Sequence, residues 1–213
     1  MKKKNKAIYL LFLMPFVYFA TACFVMWLVK TSGIYPSGSD TMYHVYRGDY
    51  VYNAIKSGNL YPLYDPAWYN GVEILRYWSP FPAYVMAFCQ YLAGGSQFGA
   101  YLFYIGGVCF LGACVWPFIG RGFNRPYLGA FIGLIWFFMP NNLCALFVEG
   151  NLARSLSMIF LPVFIYAVYK YFDSRKTRYL LLITLSLLLI AMCHAGYAVM
   201  VVAVAIIYGI IYC

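Results

Sequence analysis

Long apolar runs separated by short polar turns organise this chain, and one long polar stretch breaks their rhythm. The runs cover Ala7–Val29, Phe98–Ile119, Tyr127–Phe147, Leu156–Phe172, Tyr179–Cys193 and Ala195–Cys213, with a shorter one at Pro80–Ala93. A helix of about 20 apolar residues crosses a hydrocarbon core of ~30 Å. The interruption is Thr31–Ser79, rich in Gly, Pro and Tyr. The pattern predicts an all-α polytopic membrane protein with about six transmembrane helices and interfacial helices in a large first extracytoplasmic loop. Residues 1–213 read as a single transmembrane domain. A cleavable signal is the competing reading of the first run, but its apolar region is usually only ~7–15 residues long. Ala20-Thr-Ala-Cys23 is loosely similar to a lipoprotein cleavage site, yet Phe24–Leu28 continue the apolar run.

Composition agrees. The chain is 64% hydrophobic and 10% charged, which is membrane-protein composition. Orientation follows from Lys and Arg, which concentrate in short cytoplasmic loops. If Pro80–Ala93 does not cross, the four N-terminal lysines, Arg121, Arg125, Lys170, Arg175, Lys176 and Arg178 are cytoplasmic. Lys30, Arg47, Lys56, Arg76 and Arg154 are then outside, ten against five. If it crosses, the tally reverses. The N-terminus is therefore expected inside, with Pro80–Ala93 interfacial or re-entrant. A net charge of +9 fits this bias and an anionic bilayer. With no basic, aromatic-interleaved soluble face, no nucleic-acid partner is expected. The seven cysteines (23, 89, 109, 114, 144, 193, 213) all lie in apolar runs without zinc or disulfide spacing and read as buried small hydrophobes.

Ionisable groups at a membrane concentrate where the chain meets water or does chemistry. Of six carboxylates, Asp40, Asp49, Asp65 and Glu73 sit in the polar stretch. The expected topology adds Glu149, Arg154 and both histidines (His44, His194) to the same side, leaving Asp173 among basic residues on the other. Ser37-Gly-Ser39-Asp40 reads as a helix start and Gly58 as a stop. Asp40, His44 and Arg47, at i, i+4 and i+7, then fall within about 60° of one face. Such a trio could bind phosphate, hold a divalent cation or accept a proton from a hydroxyl. It could equally be a solvated face with an i,i+4 Asp–His contact. Trp68 and Trp78 read as interfacial anchors, and Asp65 before Pro66 as a turn cap. The many loop tyrosines suit the headgroup level or a sugar-binding platform.

Gly38-Ser-Asp40-(x)3-His44-(x)2-Arg47, Gly58-(x)3-Pro62, Trp68, Gly71 and Pro80-(x)-Pro82, followed by Glu149-Gly-Asn-Leu-Ala-Arg154, Pro162 and His194, resemble a bacterial family. It is the 6-pyruvoyl-tetrahydropterin synthase-related membrane domain family. A pterin synthase holds zinc with three histidines, and two histidines in the whole chain exclude that chemistry. The resemblance implies instead the N-terminal module of a polytopic glycosyltransferase of the GT-C type in the bacterial cell membrane. Such a protein uses a polyprenyl-phosphate-linked sugar on the extracytoplasmic face. It implies Asp40 and Glu149 as catalytic groups, and His44, Arg47, Arg154 and His194 as substrate-binding groups. No organic cofactor is implied; a divalent cation is the one the site chemistry admits. A chain ending inside an apolar run at Cys213 is expected to be part of a longer protein. Two other classes are a transporter or flippase of lipid-linked saccharide and a non-catalytic scaffold.

The charge asymmetry predicts that, in intact cells on a cysteine-free background, Ser57→Cys reacts with a membrane-impermeant maleimide and Ser174→Cys does not. The reverse pattern overturns the topology.

Overall fold

Gly and Pro punctuation cuts the apolar pattern into helices at nearly every place the sequence marks. A computed structural model describes residues 2–36 and 38–212, with side chains from Phe12 onward. Ser37, in the expected helix-start motif, and Cys213 lie outside the described residues. Among the described residues all regular structure is helical, apart from one isolated bridge between Asp65 and Val72. The elements are α1 (Lys2–Ser32), α2 (Thr41–Lys56), α3 (Phe81–Leu92), α4 (Gln97–Gly122), α5 (Pro126–Trp136), α6 (Pro140–Leu143) running into a π-turn (Cys144–Val148), α7 (Leu152–Ser157), α8 (Leu161–Ser174), α9 (Thr177–Cys193) and α10 (Ala195–Tyr212).

Five stretches are long and apolar enough to cross a membrane: Phe12–Ser32, Gln97–Gly122, Pro126–Val148, Leu152–Ser174 and Ala195–Tyr212. The remaining expected span is α9, an apolar helix of 17 residues, about 25 Å long. It packs against both α8 and α10. The chain is thus an all-α polytopic membrane protein. The 12 residues of α3 extend only about 18 Å, too short to cross. It lies against α2 and α4.

Two expected continuous spans are broken, each for a local reason. Tyr127–Phe147 is interrupted after Trp136, because Pro140 cannot extend a helix across its own ring. Asn142 repairs part of the break by donating its amide to the Trp136 carbonyl. In hydrocarbon a freed carbonyl needs such a partner. Leu156–Phe172 is interrupted between α7 and α8, where Pro162 stands in the first turn of the second piece.

Small residues let the spans approach. A Cβ on Gly120 would stand 2.7 Å from Gly129 Cα, and one on Gly129 would stand 2.4 Å from the Trp116 carbonyl oxygen. This is close backbone packing of α4 on α5, the usual basis of helix association in a bilayer. At the end opposite the 31–79 loop, Lys170 of α8 sits 5.0 Å over the Phe123 ring in the α4–α5 turn. The basic turns at 121–125 and 175–178 therefore gather at one end of the bundle, and the loop caps the other.

Gly129→Val overpacks the α4–α5 contact and should destabilise the protein by about 1–3 kcal/mol. Gly107→Ala, whose added Cβ meets no atom within 4 Å, should be neutral or stabilising, because alanine is the better helix former. Thermal unfolding in detergent reads both.

Candidate functional site

At the loop end, the turn before α2 docks on the turn after the π-helix. The Glu149 carbonyl accepts the Asp40 N–H at 3.1 Å and the Ser39 hydroxyl at 3.0 Å. Contact is so close that a Cβ on Gly38 would lie 2.6 Å from Gly150 Cα. Gly150 adopts φ +67, which glycine takes without strain. This junction joins residues 110 positions apart and sets where α2 begins. Further along α2, Gly48 admits Met86 of α3; a Cβ there would stand 2.2 Å from Met86 Cγ.

α2 fixed in this way presents Asp40, His44 and Arg47 to one cavity of about 730 Å³. His194, Cys193 and Asn151 line it from the α9–α10 and α7 turns, and Trp68, Glu73 and Trp78 from the loop. The helical face expected from the i, i+4, i+7 spacing is the face that lines the cavity. Among the described residues no hydrogen bond joins the Asp40 and His44 side chains. Asp40 occupies the N-cap position of α2, yet its carboxylate makes no capping bond. Among the described residues its side chain has no hydrogen-bond or ion-pair partner.

Arg47 is 1% exposed. Among the described residues it has no carboxylate within ion-pair distance, and its Nε has no hydrogen-bond partner. Its guanidinium reaches the carbonyls of Trp78 and Ser79 only at 3.4 and 3.5 Å. It lies 5.4 Å over the Tyr43 ring. Burial pulls the Arg47 pKa below its ordinary value, with Tyr43 opposing, but a guanidinium stays protonated in proteins. The site therefore holds a buried cation that, among the described residues, has no anionic partner. His44 is 7% exposed. Burial, then Arg47 and His194, push its imidazole down to about 3, so it is neutral at physiological pH.

His194 ends α9 and starts α10. Its Nδ1 accepts the Tyr197 N–H at 3.0 Å, capping the first turn of α10. A neutral imidazole that accepts at Nδ1 carries its proton on Nε2, so Nε2–H is the donor left for a ligand. The Glu149 carboxylate, by contrast, is engaged: Arg154 contacts its two oxygens at 2.6 and 2.9 Å and also donates to Asn141 at 2.7 Å. Glu149 meets the Asp40 turn through its backbone carbonyl, and neither its side chain nor Arg154 is among the groups lining the cavity. Among the described residues no three His, Cys, Asp or Glu side chains come together to hold a metal ion.

Glu73 lines the cavity, although its spacing gave no signal; it pairs with Arg76 at 2.5 Å. Trp68 and Trp78, expected as interfacial anchors, line the cavity as well. Asp65 is a turn cap as expected, its Oδ1 accepting the Ala67 N–H at 2.9 Å. It is also buried and takes the Tyr46 hydroxyl on Oδ2. Burial and that bond push Tyr46 up to about 12.

Comparison with protein families matches residues 75–213 to the 6-pyruvoyl-tetrahydropterin synthase related domain, described as a membrane protein. No curated protein and no solved structure matches the chain. The matched segment runs from the end of the loop through α10 and includes Glu149, Arg154 and His194; Asp40, His44 and Arg47 precede it. Because that segment spans more than half of the sequence and carries the helices from α3 to α10, the chain belongs to the 6-pyruvoyl-tetrahydropterin synthase related family of membrane proteins.

Proposed function

We propose that this protein is a glycosyltransferase-like membrane enzyme that takes a sugar from a polyprenyl-phosphate carrier at the extracytoplasmic face of the bacterial cell membrane. One observation carries the reading: Arg47, buried and without a counter-ion among the described residues, shares a cavity with the Asp40 carboxylate, which makes no capping bond, at the loop end of an apolar bundle. Burying a charge costs several kcal/mol, and an anionic ligand would offset that cost. A guanidinium suits the oxygens of a phosphate.

In this proposal Asp40 accepts the proton of the acceptor hydroxyl as it attacks the anomeric carbon. The bond from that carbon to the phosphate oxygen breaks, and the carrier phosphate leaves with the bonding pair. Arg47 and His194 Nε2–H stabilise the leaving phosphate, and neutral His44 offers a further hydrogen bond. Glu149 acts through its backbone carbonyl, which seats the Asp40 turn, while Arg154 locks the Glu149 side chain. Positioning and electrostatic stabilisation supply most of the rate.

An apolar groove of about 410 Å³ between α8 and α10 supports the lipid half of this substrate. It starts at Tyr197, whose N–H is held by His194, and reaches Tyr208, about 16 Å further along α10. A prenyl chain suits such walls, with its phosphate at the cavity.

Asp40→Asn keeps size and shape but can neither take a proton nor carry charge. It should lower transfer by about 10²- to 10⁴-fold with expression and insertion unchanged. Arg47→Ala should instead weaken carrier binding by about 10- to 100-fold through loss of a charge-assisted contact. The assay is glycan transfer from polyprenyl-linked donors in membranes, with protein level as control. Near-normal turnover by Asp40→Asn would favour a scaffold, and absence of transfer from any donor would favour a transporter.

A further inference from the structure

The cavity has a second feature, its aromatic rim, that phosphate binding and proton transfer leave unused. Tyr69, Tyr77 and Trp78 line it and yet are 86%, 72% and 55% exposed. The rings connect directly to the anion site. Tyr43, under the Arg47 guanidinium, lies 5.3 Å from Trp68 and 5.8 Å from Trp78 between ring centroids. Trp68 rests on Tyr46 at 4.6 Å and meets Tyr69 at 5.6 Å. One aromatic layer therefore runs from the buried cation to the open rim.

The loop that presents the outer part of this layer is held under strain. Tyr69 and Asn70 are consecutive non-glycine residues at φ +48 and +63, and Gly71 follows at φ +114. Each such conformation in a non-glycine residue costs about 1–3 kcal/mol and persists only where its surroundings impose it. The clamp is visible. Asp65 and Val72 exchange backbone hydrogen bonds at 2.9 and 3.0 Å across the base of the loop. A Cβ at Gly71 would stand 1.9 Å from the Tyr64 hydroxyl oxygen. The buried Asp65 side chain ties the same loop to Tyr46 of α2.

Resting on the proposed reading of this cavity as a phosphate-linked sugar site, we infer that Trp78 and Tyr69 form a stacking subsite for the sugar ring. The C–H face of a pyranose carries partial positive charge and packs on the electron-rich face of an aromatic ring. Its hydroxyls, around the ring edge, would meet polar groups on the cavity wall: Glu73, Ser79 and Asn151. Trp78 follows the Arg47 site by one ring, Tyr43, and Tyr69 by two, Tyr43 and Trp68, which places the sugar next to the phosphate that carries it. The subsite thus selects a cyclic polyol phosphate over a plain alkyl phosphate.

The test is isothermal titration of the full chain in detergent with glucose, galactose, mannose and N-acetylglucosamine 1-phosphates, against propyl phosphate. Wild-type protein should bind at least one sugar phosphate about tenfold more tightly than propyl phosphate. Trp78→Ala/Tyr69→Ala should bring the two affinities together, while Trp78→Phe/Tyr69→Phe keeps most of the difference and controls for folding. Arg47→Gln should weaken every phosphate. Equal binding of sugar and propyl phosphates by the wild type overturns the subsite and leaves the anion site standing. So does an undiminished difference in the double alanine variant, which would make these rings interfacial anchors. Failure of all the phosphates to bind removes the phosphate reading itself, and the subsite with it.

Discussion

A buried guanidinium without a carboxylate partner is the constraint around which this molecule's loop end is arranged. Arg47 cannot release its proton, and a charge withdrawn from water without compensation costs several kcal/mol. The structure supplies a ring face at 5.4 Å and two long carbonyl contacts, which meet only part of that cost. Two glycine contacts keep the residue in place. Gly150 against Gly38 fixes the start of α2, and Gly48 against Met86 presses its middle onto α3.

The bundle and the loop divide the work. The spans associate mainly through small residues and buried aromatics. The loop brings the ionisable groups, and it is seated by bonds to the turns of the bundle: Asp40 and Ser39 to the Glu149 carbonyl, and Ser79 Oγ to the Ala191 carbonyl at 3.0 Å. The family match covers α3 to α10 and their turns but not α1, and the most buried functional candidates come from the loop ahead of it. The cavity is therefore a composite, its floor set by the bundle's turns and its wall by α2 and the aromatic loop.

Histidine illustrates how one residue type takes two roles by position. His44 is enclosed next to a cation and is held neutral. His194 sits between two helices, where capping α10 fixes which nitrogen carries the proton. Neither role is visible from composition, and both depend on what the neighbouring element provides.

Hydropathy alone determined that the protein is helical and membrane-embedded, because the cost of unpaired backbone in hydrocarbon leaves few alternatives. The spacing of Asp40, His44 and Arg47 determined that they share a helical face, since that follows from 100° per residue. Local sequence also marked the Asp65 turn and the limits of α2. Tertiary structure decided the rest. It turned the Glu149 carboxylate to Arg154 and gave the site only its carbonyl. It drew Glu73, Trp68 and Trp78 into the cavity, because ring stacking and a strained turn aim side chains in ways no one-dimensional period records. Above all, it left Arg47 buried with no anionic partner among the described residues: a charge's surroundings are made by segments distant in sequence, and only the folded chain brings them together.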